Sequence, residues 1–113
     1  TLFVPDATPE QTAWFDEMQR VSATGEMAAR LRRARADVDV TDLAPQVAVP
    51  TLVLHARDDA VVPMKDGVEL ASGIAGARFV PLESRNHVVL PTEPAWARFS
   101  SEIETFLAQE ALR

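Results

Sequence analysis

Thr51-Leu52-Val53-Leu54-His55-Ala56-Arg57-Asp58-Asp59-Ala60-Val61-Val62-Pro63 is an apolar run that breaks into a charged loop closed by proline. Further on, Arg78-Phe79-Val80-Pro81-Leu82 runs into Glu83-Ser84-Arg85-Asn86-His87 in the same way. Residues 51–54 are almost uniformly apolar, the pattern of a strand covered on both faces, as in a parallel sheet. Residues 78–82 read as the next strand. Between them, residues 64–74 place Met64, Val68, Ala71 and Ile74 on one helical face, and Gly76 ends that helix. Strands joined by a crossover helix run parallel, with a right-handed crossover. The loops that follow both strands then emerge at the same carboxyl edge, where open α/β sheets hold their ligands. Asp59 and His87 are therefore expected to meet in space.

The rest of the chain extends this frame. Thr92 is expected to start a last helix whose apolar stripe is Trp96, Phe99, Ile103, Phe106 and Leu107, making the second half β-α-β-α. Upstream, Thr41 or Asp42 caps a short turn over residues 43–47 that leads into Val49-Pro50. Thr8-Pro9-Glu10-Gln11 carries a helix start: Thr8 caps, Pro9 suits the first helical position and Gln11 closes a capping box. Trp14, Met18 and Val21 follow at helical spacing, with Phe15 beside them. A second helix over about residues 26–36 has Met27 and Leu31 as a thin apolar side, and Arg30, Arg32, Arg33 and Arg35 make its other side cationic, either solvated or packed against an acidic partner.

Composition bounds the function. A chain of 113 residues is one domain's length. Its 17 Asp and Glu against 11 Lys and Arg argue against a nucleic-acid surface, since phosphate binding needs clustered cations in excess, so nucleic acid is not an expected partner of this segment. The absence of cysteine removes disulfides, thiolate chemistry and cysteine-ligated zinc. It leaves the redox compartment open, with the cytoplasm the simpler expectation. No run approaches the roughly 18 apolar residues of a membrane span, so no membrane is expected. The chain opens at Thr1 directly into Leu2-Phe3-Val4, as a fragment, a processed chain or an excised piece would.

The two loops carry chemistry. A serine hydroxyl needs a histidine to take its proton, and that imidazole needs a carboxylate to fix its tautomer and stabilise its cation. Asp59 and His87 supply these parts in the order acid, then base. Asp58 is the rival acid, and His55, ending its strand, is structural. Taken singly, an Asp pair after a strand is a solvated turn and a lone His a surface or core-edge residue; their placement after consecutive strands favours the acid–base pair. A metal set of Asp58, Asp59, Glu83 and His87 lacks any ligand spacing, and no metal or cofactor is expected. No serine has the G-x-S-x-G frame of a nucleophile elbow. Ser72 lies inside the crossover helix, Ser84 is three residues before His87, and Ser22, Ser100 and Ser101 lie on helices or their ends. Asn86 shapes the loop through its backbone hydrogen bonds.

At these residues the chain resembles the carboxyl-terminal half of an α/β-hydrolase. Residues 49–63 are similar to that family's acid segment, with the acid at Asp59. Residues 81–87 are similar to its histidine segment, with the base at His87, and Glu93-Pro94-Ala95-Trp96-Ala97-Arg98-Phe99 to the start of its last helix. Pro5-Asp6-Ala7-Thr8-Pro9-Glu10-Gln11, Trp14-Phe15 and Gln19-Arg20-Val21-Ser22 also resemble hydrolase-like domains fused to bacterial LuxR-type transcriptional regulators and nucleotide cyclases. The resemblance implies an α/β fold with an incomplete parallel sheet. Residues 1–48 take the cap or lid position, and residues 49–113 form the carboxyl-terminal β-α-β-α of the core. It also implies a nucleophile and an oxyanion hole in an amino-terminal half outside this chain. Three functions follow as expectations: a hydrolase of an ester, lactone or similar small acyl compound, a ligand sensor controlling an attached signalling domain, or an inert dimerising piece. The isolated chain is expected to be inactive, and to pair with the missing half or with copies of itself.

Overall fold

The computed structural model describes residues 2–113, which divide into two units: Ala7–Val40, and Thr41–Arg113 together with the described residues before Ala7. The first unit holds helices α1 (Pro9–Ser22) and α2 (Gly25–Ala36). The capping box of α1 is formed: Thr8 Oγ1 accepts the Gln11 N–H at 3.1 Å, and Gln11 Oε1 accepts the Thr8 N–H at 2.9 Å. Thr24 caps α2 in the same manner, accepting the Met27 N–H at 3.1 Å. The stripe expected on α1 is not the covered one. Trp14, Met18 and Val21 are exposed, and burial follows Phe15, with Gln11 and Thr12 half-buried. Two helices have too little surface to cover a second stripe. Helix α2 buries nothing, and Met27 and Leu31 stay exposed beside its arginines.

The second unit contains a 3-10 helix (Thr41–Gln46), strand β1 (Leu52–Ala56), helix α3 (Met64–Gly73), strand β2 (Arg78–Leu82) and helix α4 (Ala95–Ala111). The β-α-β-α order expected of the second half is the observed one. Strands β1 and β2 pair in parallel, with Leu52 beside Arg78, Leu54 beside Val80 and Ala56 beside Leu82. This is an α/β fold built on a small, incomplete parallel sheet. Leu52, Leu54, Val80 and Leu82 share one face, where Ala95, Val89 and Phe99 complete the core. Leu82 is 1% exposed; fully burying such a side chain contributes about 1.5–3 kcal/mol. The ring centroids of Trp96 and Phe99 on α4 lie 5.4 Å apart. Gly67 of α3 lies against His55 on the opposite face. Both faces are thus covered, but most of β1 is only half-buried, because a two-stranded sheet keeps two open edges.

Several boundaries differ from the sequence expectation. Strand β1 takes in His55, as expected of a residue ending its strand, and runs one residue further to Ala56, which the sequence placed in the loop. Backbone pairing continues even beyond it, with the Arg57 N–H donating to the Leu82 carbonyl at 2.8 Å. Helix α3 turns inward the stripe Met64, Gly67 and Ala71, continued by buried Ile74, while Val68 is exposed. The imidazole of His55 occupies the space beneath α3, and a glycine is what fits over it. Helix α3 ends at Gly73, and Gly76 lies in the following turn with φ +73°, a left-handed conformation that favours glycine. Helix α4 starts at Ala95 rather than at Thr92. Pro94 disfavours helical backbone at Glu93, whose carboxylate instead accepts the Leu90 N–H at 2.8 Å. Leu107 lies outside the covered face of α4.

Candidate functional site

The ends of β1 and β2 bring the two loops together through their own backbone. Beyond the strands the Asp58 N–H still donates to the Ser84 carbonyl at 3.1 Å, so the acid loop follows the outgoing course of β2. An ion pair between Arg57 Nε and Glu83 Oε1 at 2.8 Å spans the same gap on the exposed side. Asp59 then turns back. Its Oδ1 accepts the N–H groups of Val61 at 2.8 Å and Val62 at 3.1 Å, an Asx-type turn that fixes the carboxylate. The other oxygen, Oδ2, lies 2.7 Å from Nδ1 of His87.

The pair is asymmetric in exposure. The Asp59 side chain is 3% exposed and that of His87 35%. Burial alone would push the Asp59 carboxyl up; hydrogen bonds from His87, Val62 and Val61, with the attraction of a charged His87, outweigh it and hold the pKa below 3.8. A carboxylate accepts at Nδ1–H, so the basic lone pair of a neutral His87 sits on Nε2. That nitrogen makes no hydrogen bond among the described residues. An imidazole held in this tautomer can take a proton at Nε2 while the carboxylate stabilises the resulting cation.

The His87 backbone is held from the far end of the sequence. The Phe3 carbonyl accepts the N–H groups of His87 at 2.8 Å and Val88 at 3.2 Å. The Phe3 ring meets the imidazole edge-on, with centroids 5.5 Å apart. Asn86 is 1% exposed, and its Oδ1 accepts the Asp6 N–H at 3.0 Å while its Nδ2 donates to Glu93 Oε2 at 2.7 Å. Arg85 adds an exposed ion pair to Asp6 at 2.9 Å. Asn86 therefore does more than shape its own loop: it joins the loop to the opening segment and to the start of α4. Ser84 is buried and committed, donating to Glu93 and accepting the Asn86 N–H at 3.0 Å.

Of the residues singled out from sequence, Asp59 and His87 come together. Asp58 is exposed and contributes its backbone, its carboxylate taking no part in the pair. Glu83 is engaged by Arg57, and no group of three or more His, Cys, Asp or Glu among the described residues is arranged to hold a metal ion. Ser72 donates to the Val68 carbonyl on α3 at 2.8 Å and Ser22 to the Met18 carbonyl on α1 at 2.5 Å. Ser100 and Ser101 lie on α4. No described serine is hydrogen-bonded to His87. Sequence reasoning missed Phe3, Asp6 and Glu93. The only local signal among them is Glu93 before Pro94, which marks a helix entry but names no partner.

Comparison with known proteins agrees with this architecture. The chain is 31% identical over 87 residues to the AB hydrolase superfamily protein YisY of Bacillus subtilis (strain 168), covering 76% of this chain and 32% of that protein. It is 33% identical over 69 residues to the "Putative carbamate hydrolase RutD" of Rhizobium rhizogenes (strain K84), covering 61% of this chain and 26% of that protein. The matched stretches thus span about a third of one relative's length and a quarter of the other's. No family model matches the chain, and no solved structure does. With its parallel β-α-β-α unit, the segment has the fold of part of an α/β-hydrolase.

Proposed function

We propose that this segment supplies the acid, Asp59, and the base, His87, of a Ser-His-Asp triad in a longer hydrolase of small ester-like acyl compounds. The observation that carries this is the 2.7 Å contact of Asp59 Oδ2 with His87 Nδ1, formed by a nearly buried carboxylate and leaving Nε2 without a hydrogen bond among the described residues. In the proposed reaction a serine oxygen attacks the acyl carbon. His87 Nε2 takes the hydroxyl proton and returns it to the leaving group, and Asp59 stabilises the transient imidazolium. The serine and the oxyanion donors would come from the part of the fold that this segment does not span, and residues 1–48 would serve as its cap. Without those donors the segment alone is expected to turn nothing over.

The partner that completes the sheet would be that remaining part or, failing it, a second copy of the chain. The acidic excess argues against nucleic acid as a partner of this segment, no described helix is long and apolar enough to cross a membrane, and a cytoplasmic setting fits the proposal. A second function, sensing a small ligand for an attached LuxR-type regulator or cyclase, is favoured by the likeness of residues 5–22 to such fused domains. The two separate in an aryl-ester assay on the longer protein. His87→Ala should abolish turnover, and Asp59→Asn should lower kcat by about 10⁴ through the wrong tautomer. Equal rates for wild type and His87→Ala would remove His87 from the chemistry. A longer protein that binds acyl compounds without hydrolysing them would favour sensing.

A further inference from the structure

We propose that His55 is a positioning residue for Asp59. Through its Nε2–H it holds the Val62 carbonyl, which keeps the Asp59 turn closed and its second carboxylate oxygen available to His87. The inference rests on Asp59 and His87 being the acid and the base, and it assigns a task to a histidine that sequence alone reads as structural.

His55 lies in β1 with its side chain 10% exposed, on the face that α3 covers. Its Nε2 is 2.8 Å from the Val62 carbonyl oxygen. A carbonyl has no hydrogen to give, so that contact puts the proton on Nε2. The ring is held in place from the other side. A Cβ at Gly67 would lie 2.5 Å from Nδ1 and 3.0 Å from Cγ, closer than packed atoms tolerate, so the imidazole fits under α3 because residue 67 has no side chain.

The Val62 carbonyl belongs to the residue whose N–H, with that of Val61, grips Asp59 Oδ1. Fixing the carbonyl from the strand below orients the Val62 residue and so supports both N–H groups on Oδ1. Oδ2 is then left to His87 and lies 3.8 Å from His55 Nε2, where the N–H dipole favours the carboxylate's charge. Among the described residues His55 makes no hydrogen bond to His87; it acts through the turn.

The test uses the 113-residue chain and NMR. Amide hydrogen exchange at Val61 and Val62, and the His87 Nδ1–H resonance, are compared in wild type, His55→Leu, His55→Gln and Gly67→Ala. His55→Leu keeps bulk but removes the donor; it should raise exchange at both amides by about tenfold or more and erase the His87 signal. His55→Gln, whose side-chain amide can still donate to Val62, should keep both near wild type. Gly67→Ala, which leaves His55 in the chain but displaces its ring, should resemble His55→Leu. Unchanged exchange and signal in a folded His55→Leu would overturn the proposal. Equal loss in His55→Leu and His55→Gln would also overturn it, since only ring shape would then matter. If His55→Leu does not fold, a wild-type turn in Gly67→Ala is the overturning result. Ester hydrolysis that survives His87→Ala in the longer protein would sink the acid–base assignment and leave these exchange rates as they are, so the two fail separately.

Discussion

Asp59 accepts three hydrogen bonds, two from its own turn and one from His87, although the two residues stand far apart in the sequence. That arrangement sets a sign for pH dependence. The folded pKa lies below the ordinary 3.8, so in acid the unfolded chain takes the proton more readily than the folded one. The stabilisation is complete above the unfolded value and is lost as pH falls through the depressed folded value. Urea midpoints between about pH 2 and 6 should therefore fall more steeply for wild type than for Asp59→Asn. Parallel curves would show that the carboxylate contributes nothing to the fold. The pair itself was legible, because each residue follows a strand and the crossover between the strands is helical. Its support was not. Phe3, Asp6 and Glu93 enter through contacts that no spacing rule links to His87, such as the bond from the Asp6 N–H to Asn86 across 80 positions.

At the scale of elements, local chemistry was a good guide at the start of α1 and a poorer one at the start of α4 and at faces. The capping box at Thr8 and Gln11 formed as read, because both partners lie within one turn. The face that a helix buries depends on what it meets. Val68 and Leu107 have apolar side chains at helical spacing, yet both are exposed, while Gly67 is buried over His55. On α4 the consequence is measurable. Leu107→Ala should change stability by no more than about 0.5 kcal/mol, the range of an ordinary surface substitution. Phe99→Ala, which takes a half-buried ring away from Leu82 and Val80, should cost about 2 kcal/mol in denaturant unfolding. Equal effects would mean that the helix is seated on the stripe expected from sequence.

At the scale of the whole molecule, the sheet formed by the described residues has two strands, and neither outer edge has a strand partner among them. Exposed strand edges invite pairing with another chain, and exposed apolar side chains such as Trp14, Val21, Leu31 and Val49 add to that tendency. The chain at micromolar concentration should therefore self-associate in light scattering, and a stable, monodisperse monomer would count against this. Sequence by itself determined the β-α-β-α order and, with it, the shared edge that receives Asp59 and His87, because hydrophobic periodicity and the geometry of crossovers are properties of short stretches. Tertiary structure alone decided which oxygen of Asp59 faces His87, which segment clamps the histidine loop, and why residue 67 is glycine. Each of those depends on atoms brought together by packing, and a linear pattern carries no record of which distant residue will fill a given space.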